Sequence, residues 1–221
     1  MIKAVLFDLD GTLIDTATDM ATALNNLLNE EGYPALPIAR IRPLVSQGGL
    51  VLTRLGFGEK VSEVEIEPLR QRYLDHYRAI IANDSKLFGG FDHILATLER
   101  SNIAWGIVTN KPDWLTHPLL EQLNLMARAA VVIGGDTLAK RKPDPLPLQV
   151  AAERIGIDCG HCIYVGDDER DIIAGNKAMM KTLIATYGYI QNPEAIHRWG
   201  ADGTIDHPTD LLTHPLLRSS L

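Results

Sequence analysis

The sequence predicts an α/β protein in which an open parallel sheet is interrupted, after its first strand, by an all-helical segment. Three observations carry this prediction: an apolar run over residues 4–7, purely helical patterns over residues 15–85, and alternating helical and strand patterns from residue 88 onwards. Such alternation is typical of a parallel sheet with helices on both faces. We therefore expect a core of residues 1–14 and 86–221 with an inserted helical domain of residues 15–85.

Two aspartates follow the first strand. Asp8 and Asp10 flank Leu9 directly after the apolar run, and Gly11 and Thr12 come next. Side chains at i and i+2 of an extended chain point to the same side, so both carboxylates can reach one site. A strand that is apolar on both faces is typical of the centre of a parallel sheet, where ligands bind beyond the carboxyl ends of the strands. Two such carboxylates can bind a hard cation, attack phosphorus, or act as acid and base.

The segment that follows is helical. Residues 18–31 place apolar side chains on one face of a helix. The sequence Ser-Gln-Gly-Gly at residues 46–49 is typical of a turn, which we expect between two short helices. A longer helix is predicted to begin near Pro68, a favoured first-turn residue, although Ser62 and Glu65 have the spacing of a capping box that would start it earlier.

The second part of the chain supplies the remaining strands and more polar residues. Helices are expected at residues 91–100, 112–124, 145–155 and 168–179, and strands at residues 103–109, 130–133, 162–165, 182–185 and 204–206. Thr109 and Asn110 end one of these strands, Asp167 and Asp168 follow another, and Lys142 lies between them in the sequence. Because the carboxyl ends of parallel strands meet at one edge of a sheet, these side chains should lie near the two aspartates of the first strand.

Taken in order, these motifs resemble those of the haloacid dehalogenase superfamily. The first motif is Asp-x-Asp-Gly-Thr at residues 8–12, and the later ones are Thr109 with Asn110, Lys142, and Asp167 with Asp168 and Asp171. The resemblance covers the whole chain and implies a Rossmann-like core. The helical domain lies between the first and second motifs and resembles the cap of the phosphoglycolate-phosphatase-like branch of that superfamily.

This resemblance implies a Mg²⁺-dependent phosphomonoester hydrolase. Asp8 would attack phosphorus and form an aspartyl-phosphate, and Asp10 would protonate the leaving oxygen and then deprotonate the attacking water. Mg²⁺ would be bound by Asp8, by the backbone carbonyl of Asp10 and by Asp167. Dehalogenases with this core lack a second acid at the position of Asp10, so a phosphate substrate is indicated. A phosphomutase with a similar cap stays compatible with the motifs.

The same resemblance assigns roles to the other motif residues. Thr109 and Asn110 would hydrogen-bond the phosphoryl oxygens, and Lys142 would supply fixed positive charge to them. Three further residues are expected to support these groups without touching the phosphate: Thr12, Asp168 and Asp171.

The cap and several stretches outside the motifs bear on the substrate. Ser46, Gln47 and Gly48 are expected to touch the leaving group unless they form an ordinary turn, and Arg54 could meet a substrate carboxylate or lie on the surface. Other stretches resemble the N-acetylmuramic acid 6-phosphate phosphatases of peptidoglycan recycling: residues 85–88, 105–112, 186–190, 199–202 and 206–208. That resemblance favours N-acetylmuramic acid 6-phosphate as the substrate, with phosphoglycolate as the alternative.

Composition narrows the class of partner. A chain of 221 residues with a formal net charge of −7 does not favour nucleic-acid binding, which needs a basic surface. No apolar run is long enough to span a bilayer, and the start lacks the pattern of a secretory signal. We expect a cytoplasmic monomer or homodimer that binds a small phosphorylated metabolite and neither nucleic acid nor membrane.

The two cysteines suggest an alternative function. Cys159 and Cys162 have the Cys-x-x-Cys spacing of thiol-disulfide oxidoreductases. A redox motif of this kind should open a helix, whose N-terminus lowers the thiol pKa. Here the motif enters the strand predicted at residues 162–165, at the edge of the sheet away from the aspartates. We therefore expect these cysteines to be structural.

Overall fold

The structure is a computed structural model and describes residues 1–58 and 61–221. Its centre is a six-stranded parallel sheet. Numbered in chain order with two short strands described below, its strands are β1 Ala4–Phe7, β4 Ala104–Val108, β5 Val131–Ile133, β6 Cys162–Gly166, β7 Lys181–Ala185 and β8 Gly203–Ile205. Their order across the sheet is β5-β4-β1-β6-β7-β8. The predicted α/β fold is confirmed, including the last short strand.

Helices cover both faces of this sheet. Along β1, Val5 and Phe7 belong to one buried apolar cluster, whereas Ala4 and Leu6 belong to another on the opposite face. The first cluster takes up the buried faces of α5 Phe91–Arg100, α6 Asp113–Gln122, α9 Asp210–Thr213 and α10 Pro215–Arg218. The second cluster contains residues of α7 Leu146–Arg154 and α8 Glu169–Lys177. Strand β1 is therefore buried on both sides, as its apolar sequence predicts.

Four α-helices lie in the described part of residues 15–85: α1 Ala17–Glu30, α2 Ile38–Ile41, α3 Gly49–Phe57 and α4 Glu63–Ala79. Helices α1, α3 and α4 pack against one another. The predicted start of the last helix near Pro68 is wrong, because the alternative capping box forms instead. The Ser62 backbone N–H donates to Glu65 Oε2 over 3.0 Å, which satisfies an amide at the helix start.

A short 3-10 helix, Arg42–Gln47, connects α2 to α3 and is here called the strap. The turn expected at residues 46–49 is therefore divided between the end of the strap and the start of α3. Gly48 stands between the two with φ of +87°, a conformation that a side chain disfavours. The glycine thus lets the chain change direction where the strap ends.

A two-stranded antiparallel ribbon lies at the root of the helical segment. It pairs β2 Ile14–Asp15 with β3 Lys86–Leu87, where the chain leaves the core and returns to it. The sequence did not predict this ribbon, since strands of this length show no periodicity. Our domain limits of residues 1–14 and 86–221 against 15–85 stay a prediction, and residues 59 and 60 within the helical domain lie outside the described residues.

None of the helices in the described ranges combines the length and apolar character that crossing a membrane requires.

Candidate active site

Three strands of the sheet end side by side and place polar residues at one edge. Phe7 lies opposite Ile107 of β4 and Val165 of β6, so the residues after these strands are neighbours. Asp8 continues the ladder, because its backbone N–H donates to the Val165 carbonyl over 2.9 Å. Gly11 then turns with φ of +85°, and a Cβ there would lie only 2.3 Å from Asp167 Oδ2. Glycine is required here because the first motif passes so close to the last.

Three buried carboxylates gather at this edge. Ligand oxygens of Asp8, Asp167 and Asp171 lie within 4.8 Å of one another. Burial raises the pKa of Asp167 well above its usual range, and the negative charges of Asp8 and Asp171 add to this effect. Hard oxygen atoms with excess negative charge fit a divalent cation such as Mg²⁺.

The motif lysine lies inside this acidic cluster. Lys142 Nζ is 2.8 Å from Asp8 Oδ1 and 2.7 Å from Asp171 Oδ1, and it donates to the hydroxyl of Tyr164 over 2.7 Å. Burial by itself would lower the pKa of Lys142, but Asp171 and Asp8 raise it above its usual value. Burial raises the pKa of Asp171 to about 7, although Lys142 opposes this shift. Lys142 is thus a buried charged group in contact with the expected nucleophile, and its role towards the phosphoryl oxygens stays a prediction.

Tyr164 is a member of this site that the sequence did not reveal. It lies on β6 and is fully buried, and its hydroxyl donates to the Val108 carbonyl over 2.7 Å while it accepts from Lys142. An aromatic residue inside a strand is typical of the apolar core, so the sequence alone does not indicate a functional role for this tyrosine. In the structure it holds the ammonium in place.

The predicted phosphate-binding residues follow β4. The Thr109 backbone N–H donates to the Ile133 carbonyl over 2.9 Å, which fixes the residue at the sheet edge. Asn110 Nδ2 donates to the backbone carbonyl of Lys142 over 3.0 Å, so the second and third motifs are joined directly. Both residues line the same cavity as Asp8 and Asp10.

The second aspartate is paired with another buried lysine and with a threonine hydroxyl. Asp10 Oδ1 accepts from Thr16 Oγ1 over 2.7 Å and from Lys111 Nζ over 2.9 Å. Lys111 Nζ also donates over 3.0 Å to the hydroxyl of Tyr77, which lies on α4. Lys111 is not among the site residues predicted from the sequence, although it directly follows Asn110. It is buried and links the core to the helical segment.

The strap brings the predicted cap residues to the sheet edge. Ser46 Oγ lies 2.8 Å from Asp167 Oδ2 and 3.3 Å from the backbone carbonyl oxygen of Asp10. Gln47 Nε2 donates to Asp168 Oδ2 over 2.6 Å. The two polar groups therefore point towards core carboxylates, and Gly48 lines the cavity beside them.

The remaining predicted residues lie around this cluster. Thr12 Oγ1 donates to Asp167 Oδ1 over 2.9 Å. Asp168 caps α8, and Arg170 donates to it from Nε over 2.7 Å. Burial would raise the pKa of Asp168, but the Arg170 guanidinium outweighs burial and lowers it. Arg170 also donates over 2.7 Å to the Ser46 carbonyl, so Asp168 and its arginine contact the strap.

A cavity of about 550 Å³ opens above the carboxylates, between the sheet edge and the helical segment. Its lining from the helical side includes Gly49, Glu67, Arg70 and Tyr77, and its lining from the core includes Arg141. Arg54 is not among the described residues that line this cavity. A volume of this size suits a small-molecule ligand larger than phosphate alone.

The two cysteines lie away from this cavity. Cys159 and Cys162 are free thiols at the start of β6, at the opposite end of the strand from Gly166. Burial raises the pKa of the Cys159 thiol, and it raises that of Cys162 to about 12. Thiols of this kind stay protonated at neutral pH and are poor nucleophiles.

Comparison with known families agrees with this geometry. The family described as "Haloacid dehalogenase-like hydrolase" matches residues 5–185. The chain is 44% identical, over 95% of its length and 94% of the relative's, to a phosphoglycolate phosphatase of Xanthomonas campestris pv. campestris. It is 39% identical, over 96% of its length and 93% of the relative's, to an N-acetylmuramic acid 6-phosphate phosphatase of Pseudomonas aeruginosa.

A solved structure has a similar fold. The crystal structure of a predicted phosphoglycolate phosphatase from Haemophilus somnus superposes with a TM-score of 0.85 at 25% sequence identity. The match covers 96% of this chain and 97% of the other. The helical segment and the sheet therefore have the same arrangement in both proteins.

Proposed function

The chain belongs to the haloacid dehalogenase-like hydrolases and is a phosphatase, and we propose that it hydrolyses a phosphomonoester through an aspartyl-phosphate on Asp8. The single observation that carries this proposal is the ion pair of 2.8 Å between the buried Asp8 carboxylate and Lys142, at the floor of the cavity. Phosphoryl transfer depends mainly on positioning and charge neutralisation. A fixed ammonium beside a buried carboxylate supplies both.

The proposed reaction has two steps. In the first, Asp8 attacks phosphorus, the bond to the leaving oxygen breaks, and Asp10 gives its proton to that oxygen. In the second, water attacks the phosphorus of the aspartyl-phosphate, Asp10 takes a proton from this water, and the Asp8 carboxylate is released. Thr109 and Asn110 line the cavity where their side chains can donate to the phosphoryl oxygens.

The proposed mechanism also includes a bound metal ion. Asp8, the Asp10 carbonyl and Asp167 would hold Mg²⁺, and Asp171 lies in the same cluster. The bound ion would neutralise negative charge on the carboxylates and on the phosphoryl group.

For the substrate we propose N-acetylmuramic acid 6-phosphate, in peptidoglycan recycling. The cavity of about 550 Å³ exceeds what a two-carbon acid needs, and its walls carry an amide, hydroxyls and the guanidinium groups of Arg70 and Arg141. A sugar with N-acetyl and lactyl groups needs such room and several polar partners. The Pseudomonas relative bears the name of this activity. The expectations of a cytoplasmic location and of a monomer or homodimer stay predictions.

Phosphoglycolate is the second candidate, because the Xanthomonas relative named for that activity shares more identical residues with this chain. Side-by-side kinetics decide between the two esters. We expect kcat/KM for N-acetylmuramic acid 6-phosphate to exceed that for phosphoglycolate by at least about tenfold, or about 1.4 kcal/mol of transition-state discrimination. The reverse preference would replace the sugar phosphate by phosphoglycolate.

The chemistry itself is tested with p-nitrophenyl phosphate, which needs no selective cap. Phosphate release should require Mg²⁺ and should vanish in Asp8→Asn, which keeps the size of the side chain but removes the attacking charge. The variant should keep the far-ultraviolet circular dichroism of the wild type. Turnover close to that of the wild type would rule out the covalent mechanism.

A further inference from the structure

The hydroxyl of Ser46 comes from the helical segment but reaches oxygen atoms of the core. Its Oγ lies 2.8 Å from Asp167 Oδ2 and 3.3 Å from the Asp10 carbonyl oxygen. Asp167 and the Asp10 carbonyl are two of the three core groups that the proposed function assigns to Mg²⁺. One cap side chain thus lies beside two of the three.

The two distances from Ser46 Oγ are compatible with neighbouring positions in a coordination shell. Mg²⁺ binds oxygen at about 2.1 Å in octahedral geometry, so neighbouring ligand oxygens are about 3.0 Å apart. The two distances from Ser46 Oγ lie on either side of this value. A serine hydroxyl has free lone pairs and is a neutral oxygen ligand, comparable with the waters that Mg²⁺ usually keeps.

The position of Ser46 is fixed by contacts that do not involve its hydroxyl. Arg170 Nη2 donates over 2.7 Å to the Ser46 carbonyl, and Gln47 Nε2 donates to Asp168. At the other end of the strap, Arg42 forms two hydrogen bonds of 2.9 and 3.0 Å with Asp15. The strap therefore presents the hydroxyl to the site even without its two oxygen contacts.

We propose that Ser46 is a metal-binding residue supplied by the cap, and that its hydroxyl oxygen occupies one coordination position of Mg²⁺ when the strap is docked. This inference rests on the proposed function, because it presupposes a Mg²⁺ site at Asp8, Asp10 and Asp167. A ligand that binds the docked form better must also favour docking, since the coupling between two equilibria is reciprocal. Mg²⁺ would therefore hold the cap closed as well as neutralise charge.

Calorimetric titration of the full chain with Mg²⁺ tests the proposal without measuring activity. Ser46→Ala should weaken Mg²⁺ binding about fivefold or more, the lower range of typical coupling between sites. Ser46→Thr keeps the hydroxyl and should bind Mg²⁺ much as the wild type does. Ser101→Ala is the matched control, because this serine follows α5 at the opposite end of the sheet.

The fluorescence of Trp114 is a second measurement that reports on the position of the cap relative to the core. It lies on α6 of the core, and the Arg78 guanidinium of α4 stands 5.6 Å from the centre of its ring. Mg²⁺ should change the Trp114 fluorescence of the wild type and change it less in Ser46→Ala. The variant Trp114→Phe identifies the part of the signal that this residue contributes.

The outcomes separate this inference from the proposed function. Equal Mg²⁺ affinity in wild type and Ser46→Ala would overturn the inference, and so would tighter binding in the variant, because the hydroxyl would then compete with the ion. Asp167→Asn should abolish measurable binding. A wild type that binds no Mg²⁺ would refute the metal-dependent function itself, and the inference with it.

Discussion

Asp8, Asp10 and Asp167 have distinct partners at the sheet edge. Asp8 faces the Lys142 ammonium, Asp10 faces the Lys111 ammonium and accepts from Thr16, and Asp167 accepts from hydroxyl groups and a backbone amide. Each of the two motif-one carboxylates is therefore held in place by its own buried lysine, as nucleophilic attack and proton transfer both require.

The role of Asp10 predicts a dependence on the leaving group. Asp10→Asn cannot donate or accept the proton, so hydrolysis of N-acetylmuramic acid 6-phosphate should slow by about a hundredfold or more. The loss should be smaller for p-nitrophenyl phosphate, whose leaving group needs little protonation. Steady-state kinetics on both esters check this, and an equal loss for the two would contradict the acid role.

Lys111 predicts a second effect at the same carboxylate. Lys111→Met keeps the length of the side chain but removes the ammonium that donates to Asp10 and Tyr77. Loss of this contact should lower kcat/KM by about tenfold to a hundredfold, because the proton donor is no longer held in place. Lys140→Met is the control, since that side chain is 63% exposed. Unchanged kinetics in Lys111→Met would show that Thr16 suffices to orient Asp10.

At the scale of elements, the root of the helical segment is held by one buried carboxylate. Asp19, in the first turn of α1, accepts from the backbone N–H groups of Asp84 and Ser85 over 2.9 and 2.8 Å. It also accepts from the Ser85 hydroxyl over 2.5 Å. These hydrogen bonds connect the start of α1 with the residues that precede β3. They therefore stabilise the helical segment at the point where it leaves the core and returns to it.

Asp19→Asn should therefore destabilise the protein. The amide offers one acceptor oxygen and places an N–H₂ group against backbone N–H donors, so the free energy of unfolding should fall by about 2–4 kcal/mol. Urea unfolding followed by circular dichroism measures this. The matched control is Asp158→Asn, because that carboxylate is 93% exposed and should change stability by less than about 0.5 kcal/mol. Equal stability of the two variants would mean that the contact is worth no more than a surface one.

What the sequence could predict differs between elements. The buried strands and the helices that cover them carry strong periodicity, and the predicted helix over residues 91–100 coincides with α5. The strands β2 and β3 are too short to show an alternation of apolar and polar residues. The sequence also offered two possible starts for α4, a first-turn proline and a capping box. The meeting of the motif aspartates could be predicted, because each follows a strand and the carboxyl ends of parallel strands lie at one edge of the sheet. Lys111, Tyr164 and the inward direction of Ser46 depend on packing between distant segments, which a single sequence does not encode locally.

At the scale of the whole molecule, polar contacts between the core and the helical segment surround the cavity. The Lys111–Tyr77 hydrogen bond lies on one side, the strap meets Asp168 and Arg170 on another, and the Tyr189 hydroxyl of the core donates to Asp15 over 2.6 Å at the root. Polar contacts of this kind can break and re-form with less cost than an apolar interface. The arrangement therefore suits a cap that opens for substrate and closes over it.

Asp15 joins the strap to the core, because it accepts from Arg42 of the strap and, over 2.6 Å, from the Tyr189 hydroxyl of the core. We expect this contact to make closure sensitive to acid. Burial would raise the pKa of Asp15, but hydrogen bonds from Arg42 and Tyr189 outweigh burial and lower it below its usual value. A lowered pKa in the folded state means that the contact stabilises closure fully above the unfolded pKa of about 3.9 and is lost as the pH falls below it. Asp15→Asn should behave at neutral pH as the wild type does in acid.

Trp114 fluorescence and the radius of gyration from X-ray scattering measure this prediction. In the wild type both should shift towards a more open form below about pH 4. In Asp15→Asn the open values should already appear at neutral pH, whereas the exposed control Asp158→Asn should follow the wild type. If Asp15→Asn instead keeps the wild-type values and the same acid transition, the contacts of the strap with Asp167, Asp168 and Arg170 suffice to hold it, and closure would not depend on Asp15.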